Sequence, residues 1–334
     1  MRTHFPQAKV DDMPASSPQI SICLPTRNRL QAIQRTLGQI TAQTFTNWEL
    51  IITDNASEEP GKVDYLKKLA AADPRIKLHL QPVNIGLHAN WIFALNQCSG
   101  RYYIATTDDD RWAESSYLEK LMSMHDGHTG IVYPNLSIDL PSTGEFREKV
   151  LTSVYHNDMS RHEICDRMVK DRRGILMLGL FDLQVVPKSA IISVYDHGRH
   201  EHCETVGMVR MVRDYPTKFC PEVSYIHTTY EGNYSRNCDR EVVFRDGGIG
   251  TFQLLDELRL AAAQDPGYEP ALLSQWYNAI RYCRDVMENY EVKRKGVIYF
   301  KPRKKKGHIR AFISSKRKAL KTWFKGKPTP SPTP

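Results

Sequence analysis

The sequence predicts an α/β fold with a mostly parallel, Rossmann-like central sheet flanked by helices. Strand-sized apolar runs recur through the first half of the 334 residues. Between them, apolar residues recur at helical spacing. Strands that are joined by helices form parallel sheets with helices on both faces, so the fold class follows from this alternation.

Four strands and four helices alternate from residue 20 to residue 122. The predicted strands cover residues 20–24, 48–52, 76–80 and 102–105. Apolar positions at helical spacing predict helices over residues 30–40, 63–70, 86–98 and 117–122. Ser99 and Gly100 end the third helix, because glycine commonly follows the last helical turn.

The pattern changes after about residue 130. Strands are predicted at 131–133, 136–140 and 181–186, with a Pro-Ser-Thr-Gly turn at 141–144, and the composition of residues 250–290 is mostly helical. Four parts are predicted along the chain. They are a disordered lead-in at 1–18, the main α/β domain at 19–245, a C-terminal helical extension at 246–300 and a basic amphipathic tail at 301–334.

The positive charge of the chain is concentrated in its tail. Residues 301–334 contain twelve Lys or Arg and no acid, and because the whole chain carries +8, the other 300 residues carry −4. A mildly acidic body argues against nucleic acid as a partner. Apolar residues of the tail, among them Ile309, Phe312 and Trp323, fall near one helical face. This pattern predicts either peripheral contact with an anionic membrane through residues 301–327 or a helix packed on the domain.

Cysteine usage and apolar runs predict a cytoplasmic protein that is soluble or peripherally attached. The seven cysteines are odd in number and include no C-x-x-C pair. This argues against a disulfide framework and a structural zinc site, and it favours a reducing compartment. No secretory signal pattern is present at the start of the sequence, and the longest apolar runs are strand-sized.

Polar clusters directly follow three of the predicted strands. They are Pro25-Thr26-Arg27-Asn28-Arg29, Thr53-Asp54-Asn55 and Thr106-Thr107-Asp108-Asp109-Asp110. In an open parallel sheet, ligands bind beyond the carboxyl ends of the strands. We therefore expect the three clusters to lie together along one edge of the sheet.

The acid triplet Asp108, Asp109 and Asp110 predicts a metal site. Three adjacent carboxylates repel one another, and a cation stabilises their ionised form. Carboxylate oxygens suit Mn²⁺ or Mg²⁺, which also take water and substrate phosphate as ligands. Such a triplet alone is more often a solvated turn or a helix cap. Its position after a buried strand, beside two other polar clusters, favours the metal.

The cluster from Pro25 to Arg29 lacks the motifs of two common kinds of nucleotide-binding site. It has neither the G-x-G-x-x-G of a Rossmann dinucleotide site nor a Gly-rich loop with lysine. Thr26, Arg27 and Arg29 can instead contact a nucleotide through their side chains, or serve as a plain strand-to-helix connection. Asp54 can accept the ring N–H of a pyrimidine, or form an Asx turn with its neighbours.

Four blocks of the sequence carry a family resemblance that covers roughly residues 19–235. They are Ile20-Ser-Ile-Cys-Leu-Pro-Thr-Arg-Asn-Arg29, Trp48-Glu-Leu-Ile-Ile-Thr-Asp-Asn-Ala-Ser57, Asn84-Ile-Gly86 and Gly100-Arg-Tyr-Tyr-Ile-Ala-Thr-Thr-Asp-Asp-Asp110. The chain resembles the family 2 glycosyltransferases, which are inverting, nucleotide-sugar-dependent enzymes with the GT-A fold. The second and fourth blocks match best, since both order and spacing agree.

The resemblance implies roles for individual residues. Its D-x-D motif falls on Asp108 and Asp110, which would bind the metal, although a run of three acids allows two registers. The residues expected to contact the nucleotide are Pro25, Thr26, Arg27, Arg29, Asp54, Asn84, Gly86, Asp108 and Asp109. The strand-end aspartate would contact the base, which suggests a UDP- or dTDP-sugar as donor, with GDP not excluded.

The expected catalytic base is the weakest part of the match. The family carries an Asp or a Glu-Asp pair before an apolar helix, whereas this chain has Glu201-His-Cys-Glu204 there. Glu204 is the predicted general base, with Glu201 and His202 as alternatives. A first-turn helix acid without a catalytic role is the structural alternative. His227 and Tyr230 resemble the segment that closes the family's site, so His227 is expected near the metal or the phosphates, or else packed elsewhere.

The predicted activity is transfer of a sugar from a nucleotide-sugar donor to a hydroxyl of a saccharide or lipid-linked glycan, with inversion, in envelope or surface polysaccharide synthesis. One alternative is a non-catalytic nucleotide-sugar or glycan-binding scaffold of the same fold. Another is a sugar-phosphate nucleotidyltransferase, which usually has a Gly-rich loop after the first strand that this chain lacks.

Overall fold

The computed structural model describes residues 18–152, 154–171, 178–195, 201–229, 240–292 and 298–300. The chain forms two compact units, residues 1–279 and residues 280–334. A nine-stranded sheet lies in the first unit, and a two-stranded hairpin lies in the second.

The spatial order of the strands in the first unit differs from their order along the chain. They are β1 Ile20–Thr26, β2 Trp48–Asp54, β3 Ile76–Leu80, β4 Tyr102–Ala105, β5 Arg111–Trp112, β6 Ile131–Leu140, β7 Glu145–Arg147, β8 Leu180–Asp182 and β9 Thr217–Thr228. Their spatial order is β3-β2-β1-β4-β8-β6-β9-β5, with β7 beside β6. The strands β3, β2, β1 and β4 run parallel. Beyond β4 the sheet is mixed: β8 is antiparallel to both of its neighbours, and β6 and β9 are parallel to each other.

Helices connect the strands and cover the sheet. They are α1 Leu30–Thr41, α2 Lys62–Ala72, α3 Leu87–Gln97, α4 Tyr117–Ser123, α5 Arg161–Asp171, α6 Lys188–Tyr195, α7 Glu201–Asp214, α8 Arg240–Gln264 and α9 Glu269–Asn289. A hairpin of β10 (Tyr290–Val292) and β11 (Ile298–Phe300) follows α9. None of the helices in the described part of the chain combines the length and the hydropathy that crossing a bilayer requires.

The first four strands and helices agree with the sequence prediction, because their apolar residues are the ones that the core buries. Every residue of β1 and β2 is buried, as expected of parallel strands with both faces covered. On α1 the buried positions are Ile33, Thr36, Leu37 and Ile40, which is a helical stripe.

The structure differs from the prediction in two strands of the second half. Residues 131–140 form one strand rather than two, and the register shifts between Pro134 and Asn135, where proline has no N–H to donate to a neighbouring strand. The strand predicted over 181–186 ends at Asp182, whose carboxylate accepts a hydrogen bond from the Gln184 N–H and so starts a turn.

The C-terminal part is helical through α8 and α9, and the helix α8 already begins at Arg240. The predicted boundary at residue 245 therefore falls inside a helix. The predicted domain limits otherwise stay predictions. The lead-in before residue 18 and the basic tail at 301–334 lie outside the described residues.

Candidate active site

The ends of β1, β2 and β4 meet at one edge of the sheet, as the sequence predicted. Thr26 pairs with Asp54 in the β1–β2 register. The Thr106 N–H donates to the Cys23 carbonyl, so the chain after β4 continues alongside β1. The Thr26 hydroxyl then donates to the Asp108 carboxylate at 2.6 Å. All three polar clusters therefore meet at one edge of the sheet, and this meeting point of the three strand ends is the candidate crevice.

The turn between β1 and α1 has an unusual backbone. Asn28 (φ 57°) and Arg29 (φ 61°) both lie in the left-handed region, which is costly for residues other than glycine. The loop after β2 stabilises this turn through hydrogen bonds. These are Ser57 Oγ with the Asn28 N–H at 2.6 Å, Asn28 Oδ1 with the Glu58 N–H at 2.9 Å, and Glu59 Oε2 with the Leu30 N–H at 2.7 Å.

The turn places the Arg29 guanidinium on two of the three acids. Its Nη1 lies 2.8 Å from Asp108 Oδ1 and 2.8 Å from Asp109 Oδ2. Asp108 is only 4% exposed, and this burial raises the pKa of its carboxyl above the usual value, while Arg29 and the Thr26 hydroxyl act in the opposite direction. The arginine charge thus compensates two carboxylates that solvent hardly reaches.

Asp110 has a different set of partners, most of them on β9. Oδ2 accepts hydrogen bonds from the Thr107 hydroxyl at 2.7 Å and the Tyr225 hydroxyl at 3.0 Å. Oδ1 accepts one from the Thr228 N–H at 2.9 Å, and His227 Nδ1 lies 3.1 Å away. The His227 side chain is 42% exposed, so solvent reaches its ring beside the buried Asp110 carboxylate.

Helix α1 supports the acid triplet from the other side. The Thr36 hydroxyl, which is buried, lies 3.2 Å from the Asp108 carbonyl and 3.1 Å from the Asp110 carbonyl. A single hydroxyl on a rigid helix therefore contacts both ends of the turn that the acids form. Sequence reasoning assigned Thr36 only to the helix.

Asp54 does not face open solvent. It is 1% exposed, and its two oxygens accept hydrogen bonds from the Ser57 N–H at 2.8 Å and the Ser57 hydroxyl at 2.5 Å. Lys62 Nζ lies 3.8 Å from Asp54 Oδ2. Lys62 is fully buried, and the sequence analysis missed it. The one available signal was a lysine at the first position of a helix, where a cation opposes the helix dipole.

Asn55 connects the second cluster to the Asn-x-Gly turn. Its side-chain amide donates to Asn84 Oδ1 at 2.9 Å and to the Gly86 carbonyl at 3.3 Å, and its Oδ1 accepts from the Ile85 N–H at 2.8 Å. Gly86 has φ 88° and ψ 162°, a conformation that is essentially restricted to glycine. Asn84 and Gly86 thus lie at the same sheet edge as Asp54.

The remaining predicted residues are less well placed or not described. Pro25 is buried within β1, and Arg27 points outward, 4.0 Å from Glu58. The backbone of Glu204, with Glu201 and His202, lies in the first turn of α7, but the side chains of these three residues lie outside the described part of the structure. Tyr230 also lies outside it.

Asp110 and His227 fit a divalent cation as partial ligands. Carboxylate oxygen and imidazole nitrogen both occur in the ligand sets of Mn²⁺ sites, and carboxylate suits Mg²⁺ as well. Within the described ranges, no group of three or more His, Cys, Asp or Glu side chains has metal-ligand spacing. Two protein ligands are enough for an ion that takes its other oxygen ligands from water and from a substrate phosphate.

One part of the chain matches a known protein family. Residues 21–176 match the family model described as Glycosyl transferase family 2. Residues 21–176 therefore belong to a family 2 glycosyltransferase domain. The family resemblance predicted from the sequence is confirmed for this domain.

Part of the chain is similar to two bacterial glucosyltransferases. The chain is 28% identical over 119 residues to the UDP-Glc:alpha-D-GlcNAc-diphosphoundecaprenol beta-1,3-glucosyltransferase of Escherichia coli, covering 36% of this chain and 46% of that protein. It is 27% identical over 115 residues to the GalNAc(5)-diNAcBac-PP-undecaprenol beta-1,3-glucosyltransferase of Campylobacter jejuni, covering 34% of this chain and 37% of that protein. The chain spans less than half of the length of these curated relatives.

The fold of the glycosyltransferase domain also has solved counterparts. The structure of S. aureus TarS residues 1–349 in complex with UDP-GlcNAc aligns with a TM-score of 0.59 at 13% identity, covering 83% of this chain and 77% of that chain. This likeness confirms the predicted GT-A type α/β fold with C-terminal helices.

Proposed function

We propose that the chain transfers a sugar from a nucleotide-sugar donor to an acceptor hydroxyl, with inversion. The observation that carries the proposal is the convergence of Thr26, Asp54 and the acid triplet in one crevice at the carboxyl edge of the sheet. This is where open α/β sheets bind ligands, and a family 2 domain supplies the sheet.

A divalent cation, Mn²⁺ or Mg²⁺, belongs to this proposal. Asp110 would bind the cation together with His227, and Asp108 would add a second negative charge close to it. When bound, the cation neutralises the negative charge that grows on the diphosphate as the sugar bond breaks. The Arg29 guanidinium lies against Asp108 and Asp109, and its positive charge would add to the electrostatic stabilisation of the same diphosphate.

The donor is proposed to be a UDP- or dTDP-sugar, and the acceptor a saccharide or lipid-linked glycan. The Escherichia coli relative is named for UDP-Glc as donor and for a diphosphoundecaprenol acceptor. Asp54, Asn84 and Gly86 lie at the end of the crevice near β2 and β3, where the nucleoside would bind. Ser57 uses one acceptor position on each Asp54 oxygen, and Asp54 is 1% exposed. Base recognition by Asp54 would therefore require its remaining acceptor positions to become accessible to the donor.

Glu204 is proposed as the general base that accepts the proton of the acceptor hydroxyl. Its position at the start of α7 agrees with the place of the family's acid before an apolar helix, and Val206, Met208 and Val209 are buried. Glu201 and His202 are the alternatives on the same turn. We also propose that the basic residues 301–327 contact an anionic membrane on its cytoplasmic side, which would place the enzyme beside lipid-linked acceptors.

The test is a panel of UDP-, dTDP- and GDP-sugars incubated with the full chain, with Mn²⁺ or with a chelator, followed by product analysis. We expect Mn²⁺-dependent release of the nucleoside diphosphate from one donor and transfer of its sugar to an added glycan. Tight donor binding without release or transfer would support the scaffold instead. Release of pyrophosphate from a nucleoside triphosphate and a sugar phosphate would identify a nucleotidyltransferase.

A further inference from the structure

Lys62 is a fully buried lysine that contacts residues of the candidate active site. Lys62 is the first residue of α2, and its side chain is 0% exposed. Burial lowers the pKa of its ammonium group, while the carboxylates of Asp108, Asp54 and Glu59 oppose that effect. A cation at a helix N-terminus is also unfavourable for the helix dipole. Positions that break local rules in this way are often functional or strained sites.

Lys62 contacts Asp108 indirectly through Thr26. Its Nζ donates to the Thr26 hydroxyl at 2.5 Å, and that hydroxyl donates to Asp108 Oδ2 at 2.6 Å. A hydroxyl has one proton, so the lysine, which can only donate, leaves the Thr26 proton directed at Asp108. Hydrogen bonds in such a chain polarise one another, which strengthens the contact with the carboxylate.

Lys62 also contacts the strained turn that positions Arg29. Its Nζ donates to the Asn28 carbonyl, which belongs to the peptide between the two left-handed residues Asn28 and Arg29. Arg29 in turn contacts Asp108 Oδ1. Both oxygens of the Asp108 carboxylate therefore depend on the same buried ammonium group, one through Thr26 and the other through the turn.

We propose that Lys62 is a positioning residue for binding of the donor diphosphate, because it orients Asp108 and Arg29 from beneath the crevice. This inference rests on the proposed function and deepens it. Because the Lys62 side chain is fully buried, it would act through Thr26 and the Asn28 carbonyl rather than by direct contact with the donor or the metal.

The experiment measures binding of UDP by the full chain in the presence of Mn²⁺, by calorimetry. Lys62→Met removes the ammonium group at similar side-chain length, and Thr26→Val removes the hydroxyl at similar shape. Each change is expected to raise the dissociation constant for UDP by about 10- to 100-fold, the range for a lost hydrogen bond to a charged group. The double variant is expected to bind no more weakly than Lys62→Met alone, because both changes break the same chain of bonds.

Lys68→Met on the exposed face of the same helix is the matched control, and its affinity should equal that of the wild type. The proposal is overturned if a Lys62→Met protein that melts cooperatively binds UDP within about twofold of the wild type. It is also overturned if the two single effects add in full, as they would if the two side chains acted independently of each other. Should Lys62→Met fail to fold, wild-type affinity in Thr26→Val overturns it. A wild type that binds none of UDP, dTDP or GDP with Mn²⁺ refutes the proposed function, and this inference falls with it.

Discussion

At the scale of single residues, the three adjacent acids have three different environments. Asp108 contacts Thr26 and Arg29, Asp109 contacts Arg29, and Asp110 contacts Tyr225 and His227. These partners come from distant parts of the chain, so the sequence of the triplet alone does not show which acid contacts which partner. The sequence therefore predicted the triplet as a metal site but left its register open. The side-chain directions favour Asp110 as the acid that would bind the metal.

This difference predicts unequal effects of two matched substitutions. Asp110→Asn replaces the carboxylate beside His227 with a neutral amide. The dissociation constant for Mn²⁺ in the presence of UDP should therefore rise by about 100-fold or more, because a charged ligand is lost. Asp109→Asn should change it by less than about tenfold, because Asp109 faces Arg29 rather than His227. Electron paramagnetic resonance of free Mn²⁺ measures both. Equal losses in the two variants would refute the assigned register.

Glu49 provides a pH-dependent prediction at the opposite end of β2. Burial alone would raise the pKa of its carboxyl, but Lys77, the Ser21 hydroxyl and the Ser99 N–H outweigh burial and lower it below the usual value. A lowered pKa stabilises the folded state above the unfolded-state pKa of about 4.3, and this contribution is lost as pH falls through the folded-state pKa.

Glu49→Gln should therefore lower the free energy of unfolding by about 1–3 kcal/mol at neutral pH. The deficit should shrink as the pH falls below about 4. Urea unfolding across this range measures it, with Glu58→Gln as control, since the Glu58 side chain is 85% exposed. A deficit that stays constant with pH would contradict the assignment.

At the scale of elements, the sequence predicted strands and helices where periodicity and burial agree. The ends of β1, β2 and β4 were predictable because parallel strands present their carboxyl ends to one edge. The bonds between the loops were not. The contacts of Asn55 with Asn84 and Gly86, and of Lys62 with Asn28, depend on loop conformations that no periodic pattern encodes. The early end of β8 has the same cause, a side-chain turn at Asp182.

Two glycines offer a test of the loop conformation. Gly86 has positive φ, whereas Gly38 lies inside α1, and an added Cβ would meet no atom within 4 Å at either. Gly86→Ala should destabilise the fold by about 1–3 kcal/mol through backbone strain and should weaken UDP binding, because the turn adjoins the crevice. Gly38→Ala should stabilise the fold by about 0.5–1 kcal/mol through helix propensity. Thermal unfolding measures both changes, and a Gly86→Ala protein as stable as the wild type would contradict the strained conformation at Gly86.

At the scale of the whole molecule, the proposed chemistry and the proposed membrane contact belong to different parts of the sequence. The crevice belongs to residues of the first unit, whereas the twelve basic residues of the tail follow residue 300. Their charge and apolar spacing favour an anionic membrane surface as partner. The sequence predicts this contact from composition and apolar spacing.

Removal of residues 301–334 should abolish sedimentation with phosphatidylglycerol-containing vesicles. Sedimentation with phosphatidylcholine vesicles should be low for both proteins, because the attraction is electrostatic. UDP binding should be unchanged, since the residues of the crevice all precede the deletion. Unchanged partitioning of the shortened protein would end the membrane proposal while leaving the proposed reaction intact.

The most direct test of the central claim is calorimetric titration of UDP into the full chain with and without Mn²⁺, for the wild type and for an Asp108→Ala, Asp110→Ala double variant. The account predicts that the wild type binds UDP at least about tenfold more tightly with Mn²⁺ and that the double variant loses this gain. Binding that is equally tight in the double variant, or independent of Mn²⁺ in the wild type, would contradict it.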